Sequence, residues 1–344
     1  MRLTALVFYP QSPFRGEITT NTLFGAICWG IRKFYGGGEL KNFLKSYEEK
    51  DYPFLFSSPL PLDSEGNLWF FRPPLEGSIF DDSDEGNLKE TYPVSKAFKK
   101  VSLIEWKILE KILKGEIKTE RDLFEEILNR ASQNGKKPKN SQDLAEVIKE
   151  YTKRSPKLKD TTLTVKTPIN RLTNTASEGG LHNEEVNVYN PFAVLFKVYN
   201  ENWFEKIKTA LKVVRLGGNK TVGLGRFEFE EKKEVIPEGL ENFINKGERI
   251  YLLSPTIPSD LIDAENSFYE IKLERSAVDR SIGYFDPNFL KLPVWKKTVA
   301  YLKEGSVLKL KKPSEFVGGL KETLRVGNSK IYAYGLGFGL TFKC

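Results

Sequence analysis

RLTALVFY, residues 2–9, opens the chain with an apolar, β-rich run that reads as a strand. After the loop QSPFRGEI the period changes. Leu23, Phe24, Ile27, Ile31 and Phe34 recur at helical spacing behind the N-cap candidates Thr19 to Asn21, and the stripe stops at Gly36–Gly38. PFLFSSPLPL and NLWFFRPP read as two strands around the turn DSEGN. Residues 76–95 are acidic and turn-rich, which predicts a surface insertion. VSLIEWKILEKIL, ERDLFEEILNRA and SQDLAEVIKEY then carry helical periodicity between 101 and 151.

The pattern shifts again at Lys153. KRSPKLKDTTLTVKTPINRLT is strongly basic, Thr161 to Val165 alternate, and NTASEGG separates them from a second alternating run, EEVNVY. Together these predict a long projecting hairpin. PFAVLFKVY (191–199) is a buried strand, and NWFEKIKTALKVVRL is a helix with Ile207, Ala210, Leu211 and Val214 on its apolar face. Lys208, Lys212 and Arg215 recur on the opposite side and predict a basic approach to the next segment, LGGNKTVGLGRFEF. Beyond Pro237 the chain is strand-rich, and its end, VGGLK…GLGFG, echoes LGGNK…GLGRF. That weak internal repeat fits two similar α+β units, 1–236 and 237–344, each closing on a Gly-rich loop.

With 40% hydrophobic residues and 24 Phe in 344, the chain has ample core. Its formal net charge of +7 allows a polyanion partner without demanding one, so charge matters where it clusters. Cys28 sits in an apolar helical pattern and reads as a core residue; the other cysteine is Cys344. With no CxxC pair and His182 as the single histidine, no metal site is expected. MRLTALVFYP is no signal peptide and no run of 18 apolar residues occurs, so the expectation is a cytoplasmic protein without membrane contact.

The glycines of LGGNKTVGLGRFEF invite a nucleotide reading, which the chain direction removes. A P-loop needs Gly-Lys-[Ser/Thr] between a strand and a helix, whereas Asn219 splits Gly218 from Lys220 and the loop runs from helix to strand. A dinucleotide fingerprint at GLGFGL has no room for its following helix. Two readings remain open. One is a helix end followed by a tight turn. The other is a backbone cradle, in which glycine N–H groups face an anionic oxygen and Lys220 and Arg226 add charge.

An opening strand, the helix TNTLFGAICWGIR, the hairpin PINRLT…EGGLH and a helix leading into GGNKTVGLGRFEF resemble the RAMP superfamily. These are the repeat-associated RNA-binding proteins of CRISPR systems. SSPLP…FFRPP and the terminal GLGFGL resemble its members that cap the 5′ end of the guide RNA in type III-A (Csm) complexes. The resemblance implies an α+β fold of two ferredoxin-like (RRM-like) domains with Gly-rich loops. Residues 1–236 would be the first, with a helical insertion at about 76–152 and a protruding β-hairpin thumb at about 160–189; residues 237–344 would be the second.

It implies as partners the 5′ tag of a CRISPR RNA, a large polymerase-like subunit and a backbone RAMP subunit, with no small-molecule cofactor. In the thumb, Ile169 and Leu172 would wedge between bases, while Lys166, Thr167, Asn170 and Arg171 hold the backbone. Gly217, Gly218, Asn219, Lys220, Thr221, Gly223, Gly225 and Arg226 match the RNA-contacting loop. Arg15, and Thr20 and Asn21 at a helix N-terminus facing RNA, complete the set, with Gly335, Gly337 and Gly339 in the terminal loop. Tyr332, Tyr334 and Phe338 are expected in the core rather than stacked on bases. Some RAMP relatives are endoribonucleases with a general-base histidine. His182, beside Glu184 and Glu185, has no second histidine and no evident Tyr or Lys partner. A non-catalytic binder is therefore expected, with a precursor-processing endoribonuclease using His182 as the alternative.

Overall fold

The opening apolar run forms β1 (Arg2–Pro10), buried from Leu3 to Phe8. The computed structural model describes residues 1–80, 88–131, 140–170, 172–176, 180–279, 295–326 and 329–342; Arg171 and Cys344 lie outside them. Helix α1 (Thr20–Tyr35) starts where the Thr19 hydroxyl accepts the Thr22 N–H and stops at Gly36, φ 92°. A helix the sequence reading missed follows at once, α2 (Gly37–Glu48), burying Phe43 and Tyr47 one turn apart. Short strands β2 (Phe54–Phe56), β3 (Leu60–Pro61) and β4 (Trp69–Phe71) come next.

Two expectations change here. The acidic 76–95 segment runs into α3 (Leu88–Phe98), which buries Val94, Ala97 and Phe98. VSLIEWKILEKIL begins as β5 (Leu103–Glu105), paired with β4, and only then turns into α4 (Trp106–Leu113). Helices α5 (Glu120–Ala131) and α6 (Ser141–Arg154) complete the insertion. Arg72 ties it to the sheet side: its guanidinium lies 3.9 Å from the Phe98 ring centroid and pairs with Glu120.

The projecting hairpin comprises β6 (Lys159–Lys166), β7 (Ile169–Asn170), β8 (Thr175–Ala176) and β9 (His182–Tyr189). β10 (Phe192–Val198), fully buried, α7 (Glu201–Leu211) and β11 (Phe227–Glu231) close the first half. Its sheet runs β11-β1-β10-β2, with β3 continuing β2 along β10, and every neighbour is antiparallel. With α1 after the first strand and α7 after the third, this is the βαββαβ order of a ferredoxin-like unit.

The second half contains β12 (Gly247–Leu252), β13 (Ile262–Phe268), β14 (Ile271–Glu274), β15 (Val299–Leu302), β16 (Val307–Ser314), β17 (Gly318–Val326), β18 (Ser329–Leu336) and β19 (Gly339–Thr341). Its main sheet, β13-β16-β12-β19, repeats the same strand order. Among its described residues no α-helix joins the strands; hairpins β14–β15 and β17–β18 stand in two of the connections. Strand β13, IDAENSF, escaped the sequence reading because an edge strand this polar shows little alternation.

One hydrophobic core joins the two halves. Tyr334 of β18 stacks on Phe56 of β2 at 4.5 Å, and the Ser58 N–H donates to the Leu253 carbonyl at 2.8 Å. Lys197, near the end of the interior strand β10 and 4% exposed, reaches Glu315 at 2.7 Å and donates to the Ile244 carbonyl at 3.0 Å.

At the corner of β1, α7 and β11, Glu231 receives Arg2 (2.5 Å), Lys208 (2.8 Å) and the Thr4 hydroxyl (2.9 Å). Burial alone would raise its carboxyl, but Lys208, Arg2 and Thr4 together hold it down from 4.5 to about 2. A carboxyl whose folded pKa is depressed stabilises the fold above its unfolded value and loses that contribution as pH falls through the folded one. Glu231→Gln is therefore expected to destabilise the chain at neutral pH, with the difference shrinking between 4.5 and about 2. Denaturant titrations across that range measure it, and a difference independent of pH would sink the assignment.

Candidate nucleic-acid interface

LGGNKTVGLGRFEF runs from α7 into β11 as a ring of positive-φ residues: Gly217 (77°), Asn219 (53°), Gly223 (99°) and Gly225 (79°), with a 3-10 turn over Lys220–Val222. The Leu216 N–H donates to the Gly225 carbonyl at 3.0 Å and closes the ring. Residues 12–15 buttress it. Gly225 donates to the Pro13 carbonyl (2.9 Å), Gly218 to the Arg15 carbonyl (3.0 Å) and the Arg226 N–H to the Ser12 hydroxyl (2.9 Å). A Cβ on Gly217 would stand 2.6 Å from the Arg15 carbonyl oxygen, and one on Gly225 would overlap the Leu216 carbonyl. These two glycines are thus required by the turn itself. Because the N–H groups of Gly218, Val222, Gly223, Gly225 and Arg226 are satisfied internally, the backbone cradle is smaller than expected, and side chains carry the charge.

The hairpin pairs from Lys159↔Tyr189 to Lys166↔His182, with β7–β8 at its tip. Its base is anchored: Phe14 and Asn187 exchange backbone hydrogen bonds at 2.8 Å, and the Tyr189 hydroxyl accepts the Ile18 N–H at 2.9 Å. Beyond that, Val186 and Glu184 keep one face of the arm against the protein, while the opposite face and the tip are open. Leu163, Val165 and Ile169 are over 60% exposed and Leu172 is 95% exposed, beside exposed Thr167. Apolar side chains held in solvent on a projecting arm mark a contact surface.

Hairpin and loop meet at Glu184. This nearly buried carboxylate pairs with Lys166 and with Arg15 (3.3 Å), and accepts from the Asn219 amide. Arg15 in turn donates to the Asn219 carbonyl oxygen at 2.9 Å. Lys166 above all, then Arg15 and Asn219, hold the Glu184 carboxyl below its usual range despite its burial. On the loop's other side Lys220 pairs with Asp279 at 3.0 Å. Arg15, Lys166 and Asn219, from three distant segments, are therefore one cluster, with Lys220 next to Asn219 and exposed Thr221 and Arg226 on the same loop. The acids were not anticipated. A trace of Glu184 is in the sequence, since it shares the inward phase of EEVNVY with Val186.

Other expected contacts are corrected. Thr20 is fully buried, and the Asn21 amide donates to Glu274 (3.1 Å) and the Tyr301 hydroxyl (2.9 Å) while its oxygen accepts the Tyr334 N–H (2.8 Å). The positive end of α1 is thus covered by a carboxylate of the second half, not open to RNA. Burial raises that Glu274 carboxyl, against the pull of Lys272, Asn21 and Thr19.

Gly335 and Gly337 are buried packing positions: Ile257 and Thr256 fill the space a side chain would need, and Gly339 pairs with Leu252. They line no surface loop. Tyr334 and Phe338 are core, as expected, and Tyr332 donates to Glu48. The expected basic helix face does not form: α7 ends at Leu211, ahead of Lys212 and Arg215, and Lys208 is held by Glu205 and Glu231 while Arg215 donates to the Lys220 carbonyl. His182 is exposed, its Nδ1 3.1 Å from the Gly180 carbonyl. Pairing places Lys166 opposite it, a lysine neighbour hidden in the linear sequence, but that ammonium is engaged by Glu184. Among the described residues no His, Cys, Asp and Glu group is arranged to hold a metal, and no helix is long and apolar enough to cross a membrane.

A repeated ferredoxin-like strand order, a projecting hairpin and a basic Gly-rich loop packed against it define the class. Residues 16–228, from the root of α1 into β11, match the model of the RAMP superfamily, and the chain belongs to that superfamily. Among solved structures it is similar to a chain of a Csm3–Csm4 subcomplex of the type III-A CRISPR–Cas interference complex, with TM-score 0.59 and 21% identity over 99% of this chain and 100% of that one. It is similar also to a chain of a Csm1–Csm4 cassette in complex with cA4, with TM-score 0.53 and 16% identity over 99% of this chain and 98% of that one. At these identities the likeness is one of fold. No curated protein sequence matches the chain.

Proposed function

We propose that this protein is a non-catalytic RNA-binding subunit of a type III-A CRISPR (Csm) interference complex, with 1–236 and 237–344 as its two units. It holds the 5′ repeat-derived tag of the guide RNA and bridges a large polymerase-like subunit to the backbone subunits. The observation that carries the reading is the gathering of Arg15, Lys166 and Asn219 on Glu184, with Lys220 next along the loop, where the Gly-rich loop meets the apolar-tipped hairpin. Such a site suits a single strand. Cations take phosphates, which adds affinity without sequence readout, and exposed Ile169 and Leu172 offer an apolar face to an unstacked base. The full-length likeness to chains of Csm assemblies supports the choice of complex.

Lys220→Ala combined with Arg226→Ala is expected to make the salt dependence of single-stranded RNA binding shallower by about 1.4, roughly twentyfold weaker binding at about 0.1 M salt than the wild type. Anisotropy titrations over a salt series read both numbers, alongside the guide RNA recovered with the assembled complex. An unchanged slope together with unchanged guide RNA would discard the loop as an RNA contact.

A further inference from the structure

Three cations of this interface, Arg15, Lys166 and Lys220, are already occupied within the chain. Glu184, on the return arm of the hairpin and 9% exposed, takes Lys166 from the outgoing arm, Arg15 from the loop after β1 and the Asn219 amide from the Gly-rich loop. Asp279, from the second half, takes Lys220. An anionic group receiving an ammonium, a guanidinium and an amide occupies the position a phosphate would occupy there. We propose that Glu184, seconded by Asp279, is an internal competitor for the RNA backbone, which sets the selectivity of the interface. The inference rests on the RNA-binding reading above.

The physics follows from charge counting at the junction. Arg15 and Lys166 bring two positive charges and Glu184 removes one, so a phosphate arriving there meets half the field it would otherwise find. It must also displace a carboxylate held by three partners. A polyanion offering phosphates alone therefore gains little. A strand that also lays a base against the exposed Ile169 and Leu172 gains the apolar contact in addition, and that surplus displaces the acid. The same pairing keeps Arg15, Lys166 and Asn219 ordered before any strand arrives, so little conformational entropy remains to be lost on binding.

The test uses Glu184→Gln and Asp279→Asn in the full chain, each preserving shape while removing the charge. The probes are single-stranded oligouridine, followed by anisotropy over a salt series, and elution from immobilised heparin; thermal unfolding confirms that each variant is folded. Each substitution is expected to steepen the salt slope by about 0.7, which is about fivefold tighter binding at about 0.1 M than at 1 M salt relative to the wild type. Both variants are expected to leave heparin at higher salt. A folded variant whose slope is unchanged or shallower overturns the proposal, and Asp279→Asn decides it should Glu184→Gln not fold. If the wild type binds oligouridine and the Lys220/Arg226 double variant weakens it, but neither acid variant tightens it, only the competitor idea fails. If wild type and variants alike ignore both polyanions, the RNA-binding reading fails with it.

Discussion

Glu315→Ala is expected to cost about 3–5 kcal/mol of folding stability, the loss typical when one partner of a buried ion pair is removed. Lys197 rises from an interior strand of the first sheet, its side chain 5% exposed, and meets Glu315 of the second half at 2.7 Å; the Tyr199 hydroxyl donates to the same carboxylate at 2.7 Å. Burial lowers the Lys197 ammonium and opposes its charge, so without Glu315 the Ile244 carbonyl and the face of the Tyr199 ring, 5.6 Å away, are left to satisfy it. The pair is asymmetric. The Glu315 side chain is 21% exposed, so water partly solvates it when Lys197 is replaced. Lys197→Met should therefore be milder than Glu315→Ala, and the double change Lys197→Met with Glu315→Leu milder still. Chemical denaturation of the three variants settles the order. Equal losses for the two single changes would remove the desolvation argument.

The second large effect belongs to the loop. Gly225→Ala is expected to open it, because φ 79° strains any side chain and the new Cβ would overlap the Leu216 carbonyl of the ring-closing pair. Gly223→Ala is the control. Its φ of 99° carries a comparable backbone cost of about 1–2 kcal/mol, but no atom lies within 4 Å of the added Cβ. Hydrogen exchange across 216–226 should rise sharply for Gly225→Ala and little for Gly223→Ala. RNA binding should fall with Gly225→Ala although no charge is removed. Indistinguishable exchange in the two variants would mean that the ring is not held by the contact described.

Lys197 and Glu315 are far apart in the chain, whereas Gly225 and Leu216 belong to one loop, and that difference separates what could be read early from what could not. The apolar run of β1, the stripe of α1, the alternation of the hairpin and the helix-to-strand direction of LGGNKTVGLGRFEF are periodic or directional signals carried by neighbouring residues. Where such signals are faint, the elements were missed: α2 starts on two glycines, β13 is polar, and β5 is only three residues long before α4. The terminal glycines misled because a Gly-rich string looks alike whether it faces a ligand or a packed strand. Only Ile257 and Thr256 reveal which.

By itself, then, the sequence determined the α+β class, the hairpin and the exclusion of nucleotide loops, since each rests on spacing within a few turns or strands, and its short motifs in their order carried the resemblance to the superfamily. Only the tertiary structure decided the polar partnerships: Asn21 turned to Glu274, Lys208 to Glu231, Lys197 to Glu315, and Arg15, Lys166 and Asn219 gathered on Glu184. The physical reason is that a charge takes its partner from whatever folding brings within about 4 Å, and no local period encodes which distant segment that will be.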